Sequence, residues 1–549
     1  MSNEATRAGF AAALSRRTVF KLAAAAGVGA TGIGAAPQAP EAAPAVAQEA
    51  APLVIGRNID DVITLDPQVA GEETYTIVMR GCYDTLVSTE PSDPGTLVPM
   101  LAESWEISDD ALTYTFKLKS GVKFSTGNEM TADDFKFSFD RLRELKALPA
   151  YLMDPVASVE APDPLTLVLT LKSPDAVFLT ALCSSNFSVI DAKAAQEHGA
   201  TDQPGADTAD TAVEWLTQNS IGTGPYVLTG FTPKDRITMT ANPSSWRQAA
   251  IPDVVIQAAA DTSALKQMLE QGDVDLAWGL LNEQIAELRD NPDIAVATTP
   301  MLGFIALGMT CDPTRNEAVS KLEVRQAIKQ SIDYDGIRSL QEGALTPPSL
   351  VPIGLPGALD PATQGFKRDV EAAKAAIAAA GYPDGFSASL ATSATEIIGG
   401  IALALLAEKV QADLAEVGID ISLEVEDEEI FRPKYRAGDI DLVIGAWYVG
   451  YPNPFDLLDN WGPTGNVSIN RFRWDAPDHP AVALLAEARK TVDAAARDEL
   501  VRQAQLALQK DAPYTMLIQP VFSYPYRTSI TGLVPNPTWN FDPSTISRT

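Results

Sequence analysis

A strand–helix–strand unit between residues 253 and 278 constrains the fold most. Residues 253–256 (DVVI) and 275–278 (DLAW) are short apolar runs typical of buried strands. Between them, residues 262–271 have the pattern of a helix that ends at Gly272. Because parallel strands need a long connection that packs back on the sheet, this order predicts a parallel crossover.

The same order recurs nearer the end of the chain. Residues 408–417 predict a helix closed by Gly418, and residues 419–423 and 441–444 predict strands. Residues 496–510 then predict a long helix before a strand at 514–518. Two separated units of this kind favour a protein with more than one sheet.

Alternating apolar residues indicate antiparallel structure in the first third of the chain. Residues 112–118 and 165–171 alternate apolar and polar side chains, as half-buried strands do. A turn at residues 120–121 predicts that residues 122–124 return along the first of these strands. Thr131 is expected to cap a helix that reaches Leu142. A first strand at 53–56 and a helix at 74–86 complete a mixed α/β pattern.

The N-terminal residues have the features of an export signal. Arg16 and Arg17 precede an apolar run over residues 22–36, and residues 45–47 (AVA) form a small-x-small cleavage site. We interpret residues 1–47 as a cleaved twin-arginine signal peptide. The rest of the chain is then expected in the periplasm, soluble after cleavage.

Charge and cysteine content narrow the function classes. The net charge of −31 disfavours nucleic acid, because phosphates would be repelled. The three cysteines, Cys82, Cys183 and Cys311, are far apart in the sequence. They allow one disulfide of undetermined pairing or three buried thiols.

Reactive groups are scarce. The chain has two histidines, His198 and His479, and we expect both at the surface rather than as ligands or bases. No hydrolase, zinc or phosphate-loop motif is present in the sequence. The sequence therefore predicts no catalytic residue, no metal and no cofactor, and a protein that is not an enzyme.

Aromatic residues are concentrated at residues 447–456 (WYVGYPNPFD), directly after the strand predicted at 441–444. Aromatic side chains on a loop offer large rigid contact surfaces, and glycine lets a ligand approach the backbone. The segment predicts either a ligand-binding loop or an aromatic corner of the core.

Several motifs together resemble one known family. Residues 99–110 (PMLAESWEISDD), 112–124 and 131–141 (TADDFKFSFDR) are similar to the signature of the peptide/nickel class of ABC-transporter solute-binding proteins. Residues 222–226, 242–246 and 324–328 continue the resemblance in the family's order, over nearly the whole chain after the signal.

The resemblance implies an α/β clamshell of the periplasmic-binding-protein type (type II, cluster C) with mixed sheets and an extra inserted domain. A first domain would comprise three segments, with an inserted domain and a second lobe between them. The implied limits are 48–100, 221–303 and 514–549 for domain I, 101–220 for the inserted domain II, and 304–513 for domain III.

The resemblance also implies a site. The loop after the strand at 441–444 lines the cleft in this family, and residues near the first strand contact the ligand. The candidate contacts are Trp447, Tyr448, Val449, Gly450, Tyr451, Asn453, Gln68, Glu73 and Tyr75. The last three could equally belong to a solvated loop and a helix cap. Peptide-binding members carry an aspartate for the peptide's amino terminus where this chain has Gly450.

A function follows as an expectation from the resemblance. It implies a monomeric receptor that binds a peptide or peptide-like solute between two lobes and delivers it to an inner-membrane permease. An oligosaccharide or sugar conjugate is the alternative within the family, since the aromatic residues could stack on sugar rings. An exported hydrolase is the alternative from a different class, and a chaperone or sensor that uses the same cleft is a third.

Overall fold

A computed structural model of the chain describes residues 51–71, 75–449 and 451–549, without the side chains of Tyr75 and Glu428. The predicted signal peptide, Glu73 and Gly450 lie outside the described residues.

The strands of this part of the chain are numbered in chain order. They are β1 (Leu53–Arg57), β2 (Val87–Glu90), β3 (Asp93–Pro99), β4 (Ala102–Ile107), β5 (Thr113–Leu118), β6 (Val156–Asp163), β7 (Thr166–Leu171), β8 (Tyr226–Thr232), β9 (Arg236–Ala241), β10 (Asp253–Ala258), β11 (Leu276–Ala277), β12 (Ile294–Pro300), β13 (Gly303–Met309), β14 (Phe386–Ser393), β15 (Ile397–Ile398), β16 (Ile401–Ala402), β17 (Ile419–Glu426), β18 (Leu442–Tyr448), β19 (Tyr514–Ile518), β20 (Val521–Arg527), β21 (Ile530–Thr531) and β22 (Ser547–Arg548).

The helices are numbered in the same way. The α-helices are α1 (Tyr75–Cys82), α2 (Ala132–Glu144), α3 (Phe178–Ala181), α4 (Ala192–Glu197), α5 (Ala206–Ala209), α6 (Val213–Gln218), α7 (Thr262–Gln271), α8 (Asn282–Leu288), α9 (Glu317–Ser320), α10 (Leu322–Ser331), α11 (Tyr334–Arg338), α12 (Pro361–Gln364), α13 (Val370–Ala379), α14 (Leu403–Ala415), α15 (Glu428–Ala437), α16 (Pro454–Trp461), α17 (Asn466–Phe472), α18 (Pro480–Lys490) and α19 (Ala494–Asp511), and 3-10 helices span Leu148–Met153, Ser185–Phe187 and Pro543–Thr545.

The first lobe is built on a seven-stranded sheet with the order β12-β20-β11-β1-β10-β9-β8. Strand β1 lies between β10 and β11 and is parallel to both, which confirms the predicted crossover. The crossover helix α7 begins where the Asp261 carboxylate accepts the Ala264 N–H (2.8 Å). It ends at Gly272, whose φ of 79° suits a residue without a Cβ.

The insertion is built on a four-stranded antiparallel sheet with the order β4-β5-β7-β6. Strands β5 and β7 confirm the two alternating runs, and α2 confirms the helix capped at Thr131. The predicted return strand at 122–124 is wrong, because β4 and β7 already occupy both edges of β5. Lys123 makes only an isolated bridge to Glu129.

The second lobe is built on a five-stranded mixed sheet with the order β17-β14-β18-β13-β19. Strand β14 is parallel to β17 and β18, and β13 is antiparallel to β18 and β19. Helix α14 and strand β17 confirm the second predicted unit, with Gly418 at a φ of 84° between them. The predicted domain limits themselves stay a prediction.

The chain passes between the two lobes twice, through residues 301–302 and 519–520. Strand β12 pairs with β20 in the first lobe, and β13 pairs with β19 in the second, so the two passages form one ribbon. Within the ribbon, the Met301 N–H donates to Pro520 O (2.9 Å) and Gln519 Nε2 donates to Met301 O (2.8 Å). Two short adjacent links are a suitable place for hinge motion between lobes.

Cysteines and histidines take structural positions. Cys82, Cys183 and Cys311 are free thiols, so the structure contains no disulfide among them. His198 is exposed, as expected, and stacks on Trp215. The surface position expected for His479 is wrong for its side chain, which is 6% exposed. Its Nδ1 accepts the Ala481 N–H (3.1 Å), so this imidazole caps α18.

Candidate functional site

The carboxyl ends of the parallel strands β10, β1 and β11 meet at one edge of the first sheet. The residues that follow these strands are brought together there. They include Asn58 after β1, Asp261 and Thr262 after β10, and Trp278 after β11, and they lie beside Arg57, the last residue of β1. Ligands of open α/β sheets bind in the crevice at such an edge.

An arginine–tryptophan pair forms the base of this crevice. The guanidinium carbon of Arg57 lies 3.2 Å from the ring centroid of Trp278. Trp278 is buried and packs against Tyr524 and Phe541. The Arg57 side chain is 11% exposed and has the Asp61 carboxylate at 3.8 Å. The crevice thus combines an aromatic surface with a positive charge.

The second lobe closes the opposite side of the crevice. It contributes Tyr448 at the end of β18 and residues 397–400 of the hairpin β15–β16. The ribbon between the lobes contributes Met301, Phe522 and Ser523. Together these residues enclose a cavity of about 290 Å³ between the lobes. This volume is near the lower end of the range for small-molecule sites.

Gln341 holds the hairpin in place at the ribbon. Gly399 and Gly400 form its two-residue turn with φ of 57° and 80°, as a type I′ turn requires. Gln341 Nε2 donates to Gly399 O (2.6 Å) and to Val521 O (2.8 Å), and its Oε1 accepts the Val521 N–H (2.8 Å). These three hydrogen bonds of Gln341 therefore hold the turn against the ribbon.

Residues of the aromatic segment at 447–456 contact different parts of the structure. Strand β18 extends through Tyr448, so the predicted loop begins later than the sequence indicates. Successive strand residues point to opposite faces. Tyr448 is 55% exposed and lines the cavity, whereas the ring of Trp447 packs edge-on against Trp461 (centroids 6.0 Å apart). Val449 is buried and its N–H donates to Leu302 O (3.0 Å).

Tyr451 and Asn453 contact the insertion rather than the cavity. Tyr451 packs against the core of the insertion. The buried Asn453 donates from Nδ2 to Val177 O (3.3 Å) and accepts the Phe455 N–H (2.9 Å) at the start of α16. One segment thus connects the cavity, through Tyr448, with the surface between the insertion and the second lobe.

Charged residues extend this second contact. Arg489 of the second lobe donates to the Asp175 carboxylate of the insertion (2.8 Å) and also pairs with Asp459. The Ala176 N–H donates to Arg489 O (2.8 Å). Burial raises the pKa of the nearby Asp456 to about 6, and the Asp459 carboxylate adds to the rise. We call the group Asp175, Arg489 and Asp459 the interlobe ion contact.

Gln68 has a structural position. It is fully buried, its Nε2 donates to Ser188 O (2.9 Å) and its Oε1 accepts from Arg141 (3.0 Å). Arg141 is itself 0% exposed and pairs with Asp66 (2.7 Å) and Asp210 (2.8 Å). Gln68 therefore supports its loop and does not reach the cavity. Glu73 and the Tyr75 side chain are outside the described residues, as is Gly450.

Sequence reasoning missed most of the cavity lining. Arg57 directly follows the strand predicted at 53–56 and Trp278 ends the strand predicted at 275–278, and the parallel crossover indicates that these strand ends meet. The pair of glycines at 399–400 lies between apolar residues, a pattern that is typical of a hairpin. Among the described lining residues, Arg57 is the one cation and Asp261 the one carboxylate.

Within the described residues, no helix has the length and apolar character needed to cross a bilayer. Their His, Cys, Asp and Glu side chains form no group of three or more that could hold a metal ion.

Two sheet-based lobes, joined by a two-stranded ribbon and enclosing a cavity beside it, define a clamshell protein that binds a small molecule between its lobes. Residues 96–468 match the family described as bacterial extracellular solute-binding proteins, family 5, middle region. The chain belongs to this family.

Known proteins are similar to this chain over most of its length. The "Probable D,D-dipeptide-binding periplasmic protein DdpA" of Escherichia coli (strain K12) is 28% identical over 88% of this chain and 92% of its own length. The structure of HbpA2 from Haemophilus parasuis is 25% identical with a TM-score of 0.78, covering 91% of this chain and 100% of that one. DppA from Helicobacter pylori in complex with peptide STSA is 25% identical with a TM-score of 0.71, covering 91% and 98%. The fold is the type II periplasmic-binding-protein clamshell.

Proposed function

We propose that this protein is the periplasmic receptor of an ABC importer. In this function it binds a peptide or peptide-like solute between its lobes and delivers it to an inner-membrane permease. The observation that carries the proposal is the cavity beside the ribbon, with walls from both lobes. A solute in that position gains contacts in the closed form that the open form lacks, so it favours closure.

The relatives support a peptide-like solute. One is named for D,D-dipeptides, and one of the similar structures holds the peptide STSA. The family resemblance implies an aspartate in peptide-binding members at the position where this chain has Gly450. A buried ammonium without an ion-pair partner costs several kcal/mol. We therefore expect a solute whose amine, if it has one, is not held at position 450.

A sugar conjugate is the second candidate, on the strength of the aromatic lining. Phe522 and Tyr448 line the first cavity, and aromatic faces offer flat apolar contact to sugar rings as well as to side chains. Asn58 and Thr262 add polar groups that could accept or donate hydrogen bonds to hydroxyls.

Three finer parts of the proposal rest on the sequence. They are export by the twin-arginine route and cleavage near residue 47, which follow from the N-terminal pattern, and action as a monomer, which the family resemblance implies. The absence of hydrolase motifs supports a receptor that releases its solute unchanged.

Calorimetric titration with a dipeptide panel and an oligosaccharide panel tests the proposal. We expect one panel to bind and the Tyr448→Ala variant to weaken that binding about tenfold, because the half-exposed ring loses its contact with the solute. Tyr382→Ala, a tyrosine of the second lobe outside the cavity, is the matched control and should bind as the unmodified protein does. Cleavage of any panel compound, or equal binding by Tyr448→Ala, would contradict the assignment of this cavity.

A further inference from the structure

A second cavity of about 470 Å³ adjoins the first. Ile285, Ile397, Gly400 and Ser523 line both cavities, so the two spaces share a wall. Ile397 and Gly400 belong to the hairpin β15–β16, whose turn Gln341 fixes against the ribbon, and Ile285 and Ser523 belong to the first lobe. The cleft is thus divided into two adjoining spaces.

Both lobes build this second cavity, as they build the first. Helix α8 and the residue after it supply the first-lobe side, and residues 340–342 with the start of α14 supply the second-lobe side. Two contacts join the sides: Arg289 pairs with Glu342 (2.7 Å), and Gln341 Nε2 donates to Asn282 Oδ1 (3.2 Å). A space formed this way exists only when the lobes are together, which is the condition for holding a solute.

Half of the residues that line the second cavity are aliphatic. Ile285, Ile401 and Leu340 contribute buried or half-buried side chains. Ile397 and Leu405 are 48% and 49% exposed, although large aliphatic side chains gain free energy when they are covered. The charged residues Glu283, Arg289 and Glu342 are exposed at its edge. An apolar group therefore fits this space better than a charged one.

We propose that the second cavity is a side-group compartment: it takes an apolar side group of the same solute whose polar part occupies the first cavity. This inference rests on the proposed function and adds the substrate class, a small solute with a bulky apolar substituent. The shared wall residues argue for a single solute in both spaces, and the two contacts between the lobes border the compartment when the lobes are together.

Two dipeptides that differ only in the second side chain test the compartment. For the unmodified protein we expect L-Ala-L-Phe to bind at least about tenfold more tightly than L-Ala-L-Ala, because the phenyl group covers exposed aliphatic surface. Ala286→Trp fills the compartment from an exposed position of α8. This variant should lose the preference while its affinity for L-Ala-L-Ala stays within twofold. Asp290→Trp, exposed and outside the lining, is the matched control and should keep the preference.

A probe that is not a peptide separates this inference from the proposed function. We expect 1-anilinonaphthalene-8-sulfonate to bind the unmodified protein and Asp290→Trp with a saturable rise in fluorescence, and Ala286→Trp to lose most of that rise. Equal fluorescence of the two variants, or a preference for L-Ala-L-Phe that survives Ala286→Trp, would overturn the compartment. Dye binding with this pattern, without binding of either dipeptide, would keep the compartment and set aside the peptide part of the proposed function.

Discussion

The interlobe ion contact offers a test of how the closed form is held without solute. Arg489→Met removes the guanidinium and keeps a side chain of similar length. It breaks the 2.8 Å bond to Asp175 of the insertion and the pair with Asp459 of the second lobe itself. The backbone bond from Ala176 N–H to Arg489 O does not depend on the side chain. The variant therefore removes the charged contact between the two parts, together with the Asp459 pair and the contact of the guanidinium with the Phe455 ring (4.6 Å), both of which lie within the second lobe.

Only part of the interaction energy lost with the Arg489 guanidinium affects the equilibrium between the closed and the open form. The bond to Asp175, whose side chain is 14% exposed, is worth about 1.5–3 kcal/mol as a charged hydrogen bond. The pair with Asp459, which is 51% exposed, contributes about 0–1 kcal/mol, and it lies within one lobe. In the closed form of the variant, Asp175 has lost its guanidinium partner but keeps the Val177 N–H (3.1 Å) and the more distant charge of Arg497. We expect the ratio of closed to open protein to fall by roughly 10- to 100-fold.

Small-angle X-ray scattering of the solute-free protein measures this change. We expect Arg489→Met to have a larger radius of gyration than the unmodified protein, and added solute to reverse the increase. Arg502→Met is the control, because Arg502 pairs with Glu499 on the surface of α19 and contacts no other lobe. If the two variants scatter alike, the ion contact does not hold the insertion to the second lobe, and the reasoning is refuted.

Three further predictions concern stability and covalent state. Arg141→Met leaves the buried Asp66 and Asp210 without their partner and should lower the free energy of unfolding in urea by about 3–5 kcal/mol; a loss under 1 kcal/mol would contradict the ion-pair account. The pKa of Asp456 is raised from 3.8 to about 6 in the folded protein, so its stabilising contribution is complete below pH 3.8 and is lost as the pH rises through 6. Asp456→Asn should therefore add about 1–2 kcal/mol at pH 7.5 and nearly nothing at pH 4, and an equal gain at both pH values would exclude titration as the cause. Alkylation in denaturant without reductant should label three thiols by mass spectrometry, whereas one label would reveal a disulfide.

Local pattern predicted the elements of this fold better than their pairing. The strands at 53–56 and 253–256 and the helix before Gly272 follow from apolar runs and a glycine stop, which are local signals. The return strand at 122–124 failed for a non-local reason. Residues 113–118 pair instead with β4, which precedes them, and with β7, some fifty residues further on. Neither partner can be read from the turn at Gly121.

The roles of the site residues also depend on pairing between segments that are distant in the sequence. The register of β18 against β13 places Trp447 opposite Phe304 and Tyr448 opposite Gly303. This register turns one aromatic side chain to the core and its neighbour to the cavity, because strand side chains alternate. Gln68 takes a structural role because Arg141, which lies on a helix of the insertion, donates a hydrogen bond to its side chain. Contacts between distant segments decide these roles, and one sequence does not reveal them.

Native mass spectrometry of the protein recovered from the cells that produce it naturally tests the central claim most directly. The account predicts one intact small molecule per chain, released when the chain is denatured, because the proposed receptor holds its solute in the cavity between the lobes and does not cleave it. A chain that carries no small molecule at all, or that carries the fragments of a cleaved compound, would contradict it.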